Sequence, residues 1–393
     1  MISAQHDLAP ALQIDARLTE IERSLNLLLN ITPVNAAEAW ADFERSDFVT
    51  APTLRLRPLE FEPDLVRRDL YDLEIEDVAD PALHTLFRAK RDEIARQITA
   101  LEDRDTSRFV YGSLQLYGAT SQALTTLARQ LLETIPAQSP NTESVTAGAF
   151  AEAARAEFNR YRAVYPDFPV RIAVREDISE LMVSFGRLLI PEAAAVRADR
   201  VTPLLHHEVG THVVTYQNGT RQPLRLLTIG LPGYDETQEG LAVLAEYVVG
   251  GLDPRRLRVL AARVLAVDQM LHGADFLEIF ESLRTEYRIP PRTAWSVAIR
   301  VVVGGGSVKD AIYLRGITRL LDFLAEGSSL DVLFVGKFAL DHIPLIQDLL
   351  ERDVLQAPWV RPRWLDVPGA QDRLDRLRAG ATVMDLYEGA VST

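Results

Sequence analysis

Cysteine is absent from all 393 residues, which excludes a disulfide framework and any thiolate metal site and leaves a reducing compartment unremarkable. No stretch approaches the roughly 20 consecutive apolar residues that span a bilayer, and residues 1–30 lack the basic start and apolar core of a secretory signal. Basic residues are in deficit. The 42 Lys and Arg stand against 56 Asp and Glu, a net charge of −14, and that field repels the phosphates of nucleic acid. These absences imply a cytoplasmic protein with neither a nucleic-acid nor a membrane partner. What remains, 47% hydrophobic and 25% charged residues, is ordinary globular composition. The densest basic cluster, Arg255, Arg256, Arg258 and Arg263, falls in a helix opened by Asp253-Pro254 and reads as its solvated face.

One stretch concentrates candidate chemistry: Thr202-Pro203-Leu204-Leu205-His206-His207-Glu208-Val209-Gly210-Thr211-His212. Thr202 is placed to cap a helix whose first residue is Pro203, and Asn218-Gly219 is the pair that most easily closes one in the left-handed conformation. In the zincin pattern His-Glu-x-x-His, two histidines one turn apart hold Zn²⁺ and the glutamate serves as general base. Here His207 and His212 are separated by one residue more. At about 100° per residue the two imidazoles would lie about 140° apart on a regular helix, too far for one tetrahedral ion. Pairing His206 with His212 leaves about 120° by the same arithmetic. Metal binding therefore requires a π-type widening, for which Gly210 is the natural place. Spacing alone leaves a second reading open, a buried helix whose histidines are satisfied by hydrogen bonds.

The next helix supplies carboxylates. Asp235 reads as its N-cap with Gln238 three residues on, and Gly250-Gly251 ends it; Glu236, Glu239 and Glu246 fall near one face. Glu239 is the preferred third ligand because Gly240 and Ala242 allow close helix approach for a carboxylate–metal bond of roughly 2.0–2.2 Å. Glu236 reads as a dipole-complementing residue of the first turn, and Glu246 as an outer partner of a ligand histidine.

His-Glu-Val-Gly-Thr-His followed by Gln238-Glu239-Gly240-Leu241-Ala242 resembles the bacterial QEGLA-motif proteins, named as modulators of flavohaemoglobin expression, which are similar to the animal microtubule-associated tyrosine carboxypeptidases. The resemblance runs from about Ala51 to about Pro362 and includes Tyr111-Gly112-Ser113, Tyr216-Gln217-Asn218-Gly219 and Lys309-Asp310 with Tyr313. It implies zinc bound by His207, His212 and Glu239, with Glu208 catalytic. The chain departs from the pattern at His206, where glutamine is expected, and at Val303, where a second arginine is expected after Arg300.

Taken along its length, the chain divides into an N-terminal helical segment (1–35), a helical lobe (36–140) and a catalytic region (141–393) that could be continuous with that lobe. Breakers at 136–140 mark the boundary. Helical spacing recurs over 12–29, 81–102, 121–133, 145–161, 253–269, 274–287, 291–302, 307–325 and 342–351, whereas 55–63 and the aromatic 109–117 read as extended. Residues 169–175 and 181–190 read as strands, either an ordinary hairpin or an edge able to hold an extended peptide. The expected fold is α+β: a mainly helical, zincin-like metallopeptidase with a small antiparallel sheet beside the His-Glu helix.

Ser307 and Asp310 resemble a capping box, so Gly304-Gly305-Gly306 is the bend that delivers that helix. Arg300 and Lys309 flank the bend and are candidates for a substrate's terminal carboxylate. Tyr216, Tyr234 and Tyr313 are candidates for steadying an oxyanion. The expected activity is that of a zinc carboxypeptidase acting on a peptide or protein C-terminus. The competing readings are a metal-stabilised regulatory or interaction protein without turnover, and a zinc hydrolase of non-peptide amides.

Overall fold

Aspartate and proline mark where the long helices begin. The Asp80 carboxylate accepts the amides of Ala82 (3.0 Å) and Leu83 (3.1 Å) ahead of Pro81, and Asp253 accepts that of Arg256 (2.7 Å) ahead of Pro254. Proline wastes no N–H at the first helical position, and the carboxylate satisfies the amides that follow. The helices so started, Pro81–Asp103 and Pro254–Leu271, and Pro291–Val302 after Pro290, agree with the hydrophobic spacing. The computed structural model describes residues 8–137, 143–178 and 180–391, so most of the boundary expected at 136–140 lies outside the described residues. Among those residues no helix is long and apolar enough to cross a membrane.

The chain is mainly helical with two small sheets. In one, β1 (Ser144–Thr146) pairs antiparallel with β5 (Ala195–Arg197). The other has the order β2 (Ile172–Arg175), β4 (Arg187–Pro191), β3 (Met182–Ser184). The antiparallel pairing expected between 169–175 and 181–190 is not found, because β2 runs parallel to β4; the antiparallel pair lies within 181–190, between β3 and β4, where Ser184 faces Arg187, so this sheet is mixed. The reason is the turn. Phe185 (φ 46°) and Gly186 (φ 70°) both take the left-handed conformation that a tight two-residue hairpin requires, splitting the expected single strand in two. The hairpin folds β3 to the free edge of the sheet.

One expected element changes type: 109–117 is the helix Phe109–Tyr117, not extended. Its aromatic content suits a strand, yet tertiary contacts decide. Phe109 and Ser113 are buried, and the Ser113 hydroxyl accepts the Val308 amide (2.9 Å).

Two hydrophobic clusters organise the packing. The larger draws residues from Ala11 to Leu386 and includes Leu241, Val243 and Leu244 of the helix Tyr234–Val248. The smaller joins Phe150 and Phe158 to β4 and to Leu205, Val209, Val213 and Val214. Each fully buried side chain of this kind stabilises by about 1.5–3 kcal/mol. The histidine-bearing segment, residues 201–219, thus lies where the two clusters meet.

Candidate metal centre

The histidine segment is one continuous helix with an interruption in its pitch. It runs as α-helix over Val201–His207, as π-helix over Glu208–Val213, and again as α-helix over Val214–Gly219. Widening by one residue is what the His207–His212 spacing demanded. The two rings lie with centroids 5.1 Å apart. Thr211 Oγ1 donates to the His206 carbonyl, five residues back (3.1 Å), which helps satisfy a backbone acceptor within the widened turn.

The expected ends of this helix are different. A 3₁₀ turn over Ala198–Arg200 leads directly into Val201, so Thr202 lies inside the helix and caps nothing. Gly219 is still helical and Thr220 follows in right-handed conformation. Asn218 instead exchanges hydrogen bonds with the Val360 backbone (2.9 and 2.7 Å).

The Tyr234–Val248 helix lies against the histidine helix on one side and the helix Ile312–Ala325 on the other. Gly240 faces the second neighbour. A Cβ there would sit 2.5 Å from the Gly316 carbonyl carbon, so the close glycine approach is to Ile312–Ala325 and not, as expected, to the histidines. Glu239, one position earlier, turns the other way. Its Oε2 is 3.6 Å from His207 Nε2 and 3.8 Å from His212 Nε2, and it is buried with no hydrogen-bond partner. Ligand atoms roughly 2.0–2.2 Å from one tetrahedral ion lie about 3.3–3.6 Å apart. The trio is the His/Glu group that could hold a metal ion among the described residues. An orphaned buried carboxylate oxygen facing the Nε2 atoms of two imidazoles fits a divalent cation. His206 is not in the group; its ring faces Gly210 and Glu157.

Glu246 fixes the tautomer of His207. Its Oε1 is 2.8 Å from His207 Nδ1, while Arg200 (2.6 Å) and Arg256 (3.2 and 3.3 Å) hold the same carboxylate. Burial opposes the Glu246 charge, but Arg256 and Arg200 outweigh it and keep the group well below the usual carboxylate range. An ionised carboxylate only accepts, so Nδ1 carries the proton and Nε2 is free to face Glu239. For His207, burial disfavours the charged form, but Glu239 and Glu246 overcome it and raise the imidazole to about 9. Glu208 Oε1 lies 4.0 Å from His207 Nε2. Burial raises the Glu208 carboxyl above its usual range against the pull of His207 and His212.

The trio and Glu208 line a cavity of about 230 Å³, with Leu181 and, from the β3 edge, Met182 and Val183 forming part of its wall. Tyr234 and Tyr313 line it as well; Tyr216 does not, its ring packing against the Phe185-Gly186 turn. The two expected substrate cations reach the cavity but carry partners. Arg300 forms a bidentate pair with Asp310 (both 2.6 Å) and also meets Glu180, so Asp310 joins no capping box with Ser307. Lys309 pairs with Asp235 (3.1 Å). Asp235 is therefore not the N-cap, a position taken by Gly233 in left-handed conformation. Glu236 pairs with Arg315 and Arg319. Val303, in the place of the expected second arginine, lines the cavity too.

Behind His207 and Glu208 a second cavity of about 450 Å³ is lined by eight arginines: Arg197, Arg200, Arg255, Arg256, Arg258, Arg263, Arg288 and Arg300. The expected solvated face of the Pro254–Leu271 helix is thus turned inward. Arg258 is 5% exposed and donates to the carbonyls of Leu132, Ile135 and Tyr287. Buried acceptors, absent from the helix's own sequence, make that orientation tolerable. Lys337, a further cation at the first cavity, carries no motif that sequence reading could have used.

Residues 41–382 match the family described as microtubule-associated tyrosine carboxypeptidase. No curated protein matches the chain.

Proposed function

Because the chain belongs to the microtubule-associated tyrosine carboxypeptidase family over residues 41–382, its activity is of the carboxypeptidase type, and we propose that it is a zinc-dependent metallopeptidase that removes a C-terminal residue from a peptide or protein. The observation that carries this reading is the partnerless Glu239 Oε2, buried between His207 Nε2 and His212 Nε2 with Glu208 alongside. His207, His212 and Glu239 would hold the ion. When bound, zinc supplies Lewis acidity to the scissile carbonyl and acidifies water. Glu208 takes a proton from the attacking water and returns it to the departing amine. Glu246, with Arg200 and Arg256, keeps His207 in the tautomer that presents Nε2. Tyr313 and Tyr234, whose hydroxyls burial holds protonated, serve as hydrogen-bond donors toward the oxyanion. The unpaired edge of β3 aligns an extended chain.

The test is metal analysis of the purified protein followed by mass spectrometry of peptide libraries with free and amidated C-termini. Single-residue trimming of free-acid peptides is expected, faster where Glu or Asp precedes the last residue because of the arginine-lined cavity. Equal cleavage of amidated peptides would indicate an endopeptidase. Bound zinc with no cleavage of any peptide would favour the regulatory or non-peptide readings.

Zinc affinity should rise with pH. In the metal-free site His207 stays protonated until about pH 9, and the ion binds only the neutral ring, so each pH unit below that costs about tenfold in affinity. Chelator competition is expected to show roughly a hundredfold gain between pH 7 and 9 and a plateau above, by the same linkage. A flat profile over that range would refute the protonation state assigned to His207.

A further inference from the structure

Three side-chain ammonium or guanidinium groups reach the cavity that holds the His207, His212 and Glu239 group: Arg300, Lys309 and Lys337. Arg300 has its fork filled by Asp310 and Lys309 is paired with Asp235. Arg300 cannot take a substrate carboxylate without giving up its buried partner Asp310, and the charge of Lys309 is already offset by Asp235, which makes both poorer readers of a chain end. Lys337 is different. Among the described residues it has no hydrogen bond or ion pair from its side chain. Its Nζ lies over the rings of Tyr234 (5.5 Å) and Tyr216 (5.9 Å).

Its backbone is fixed at two points: the Lys337 amide donates to the Leu227 carbonyl (2.9 Å), and its carbonyl accepts the Leu231 amide (2.9 Å). These bonds fix the loop backbone, and the ammonium reaches the cavity beside two aromatic faces. A half-buried cation in that setting has lost much of its water and gained no counterion, the condition an incoming anion relieves. Burial pulls the Lys337 ammonium below its ordinary value, against Asp235 and Glu239. A carboxylate arriving beside it would favour the charged form.

We propose that Lys337 receives the α-carboxylate of the substrate's C-terminal residue and so sets the exopeptidase register of the site. This rests on the peptidase reading above and reassigns the role that Arg300 and Lys309 suggested by sequence. Tyr216 and Tyr234 act here as the walls that orient the ammonium.

The test combines turnover with binding. Lys337→Met keeps the aliphatic stem and removes the charge; Lys337→Arg keeps the charge. For a free-acid peptide, Lys337→Met is expected to raise KM about 10–100-fold, the worth of one hydrogen bond between charged groups, with kcat changed less. Lys337→Arg should recover most of that loss, which a merely structural role would not explain. The second arm uses calorimetry in a Glu208→Gln background, comparing free-acid and amidated forms of one peptide. Preference for the acid that vanishes in the Lys337→Met, Glu208→Gln double variant supports the assignment even if no peptide is ever turned over, so the two proposals fail separately. An acid-over-amide preference in Lys337→Met equal to that of the parent protein, in either arm, would overturn it.

Discussion

The Glu208→Gln protein is expected to retain its metal and to lose about 10²–10⁴-fold in turnover, the range removed with a general base. Glutamine matches the carboxylate in size and hydrogen-bonding capacity, so the packing of a residue only 6% exposed is kept. What it lacks is basicity. The group that could hold a metal ion does not include Glu208, which lies 4.0 Å from His207 Nε2. Burial lifts its carboxyl above the usual range while His207 and His212 hold it down, a balance suited to taking up a proton and releasing it within one cycle. Metal content by mass spectrometry and peptide turnover, measured on the same preparation, separate the two effects. Full activity in this variant would exclude Glu208 as the base; lost metal would make it a ligand.

Glu239→Gln is expected to do the reverse and empty the site. The neutral amide removes the one carboxylate between the imidazoles, so zinc affinity should fall more than about 100-fold, beyond the 10–100-fold typical of outer partners. Burial opposes the Glu239 charge, but the neighbouring imidazoles of His207 and His212 keep the group well below the usual carboxylate range even without an ion. The loss should also appear in stability. An ion present at a hundred times its dissociation constant adds about 2.7 kcal/mol, and the variant should forgo that gain. Thermal melts with and without added zinc would show it: a large metal-dependent rise in Tm for the parent and little for Glu239→Gln. Tightly held, stoichiometric zinc in the variant would disqualify Glu239. Glu246 could not substitute, because His207, Arg200 and Arg256 already occupy its oxygens.

The features legible in the sequence were those whose cause is local. Asp253-Pro254, prolines at helix starts and apolar spacing located the long helices, and helical geometry alone required a wider turn between His207 and His212. What failed depended on partners far along the chain. Asp235 looked like a cap because nothing nearby in sequence shows that Lys309 will neutralise it. Arg258 looked exposed because its acceptors are the carbonyls of Leu132, Ile135 and Tyr287. Phe109–Tyr117 read as extended because aromatic content was visible and the packing of Ser113 against Val308 was not. Lys337 was invisible for the same reason: its significance is the lack of a counterion, which only the folded cavity reveals.

The meeting of two hydrophobic clusters at the histidine helix bears on how the molecule fluctuates. His207 and His212 stand on a helix whose apolar face, with Val209 and Val213, belongs to the smaller cluster, whereas Glu239 stands on a helix rooted in the larger one through Leu241 and Leu244. An ion shared by the three would rivet the clusters to each other. Any partial opening that parted them would have to break ligand bonds before it broke the bulk of either apolar interior. Amide exchange along β4 and residues 147–164 would then slow on loading with metal, although none of those residues belongs to the trio, and the proposed catalytic centre would also govern how often that part of the molecule opens.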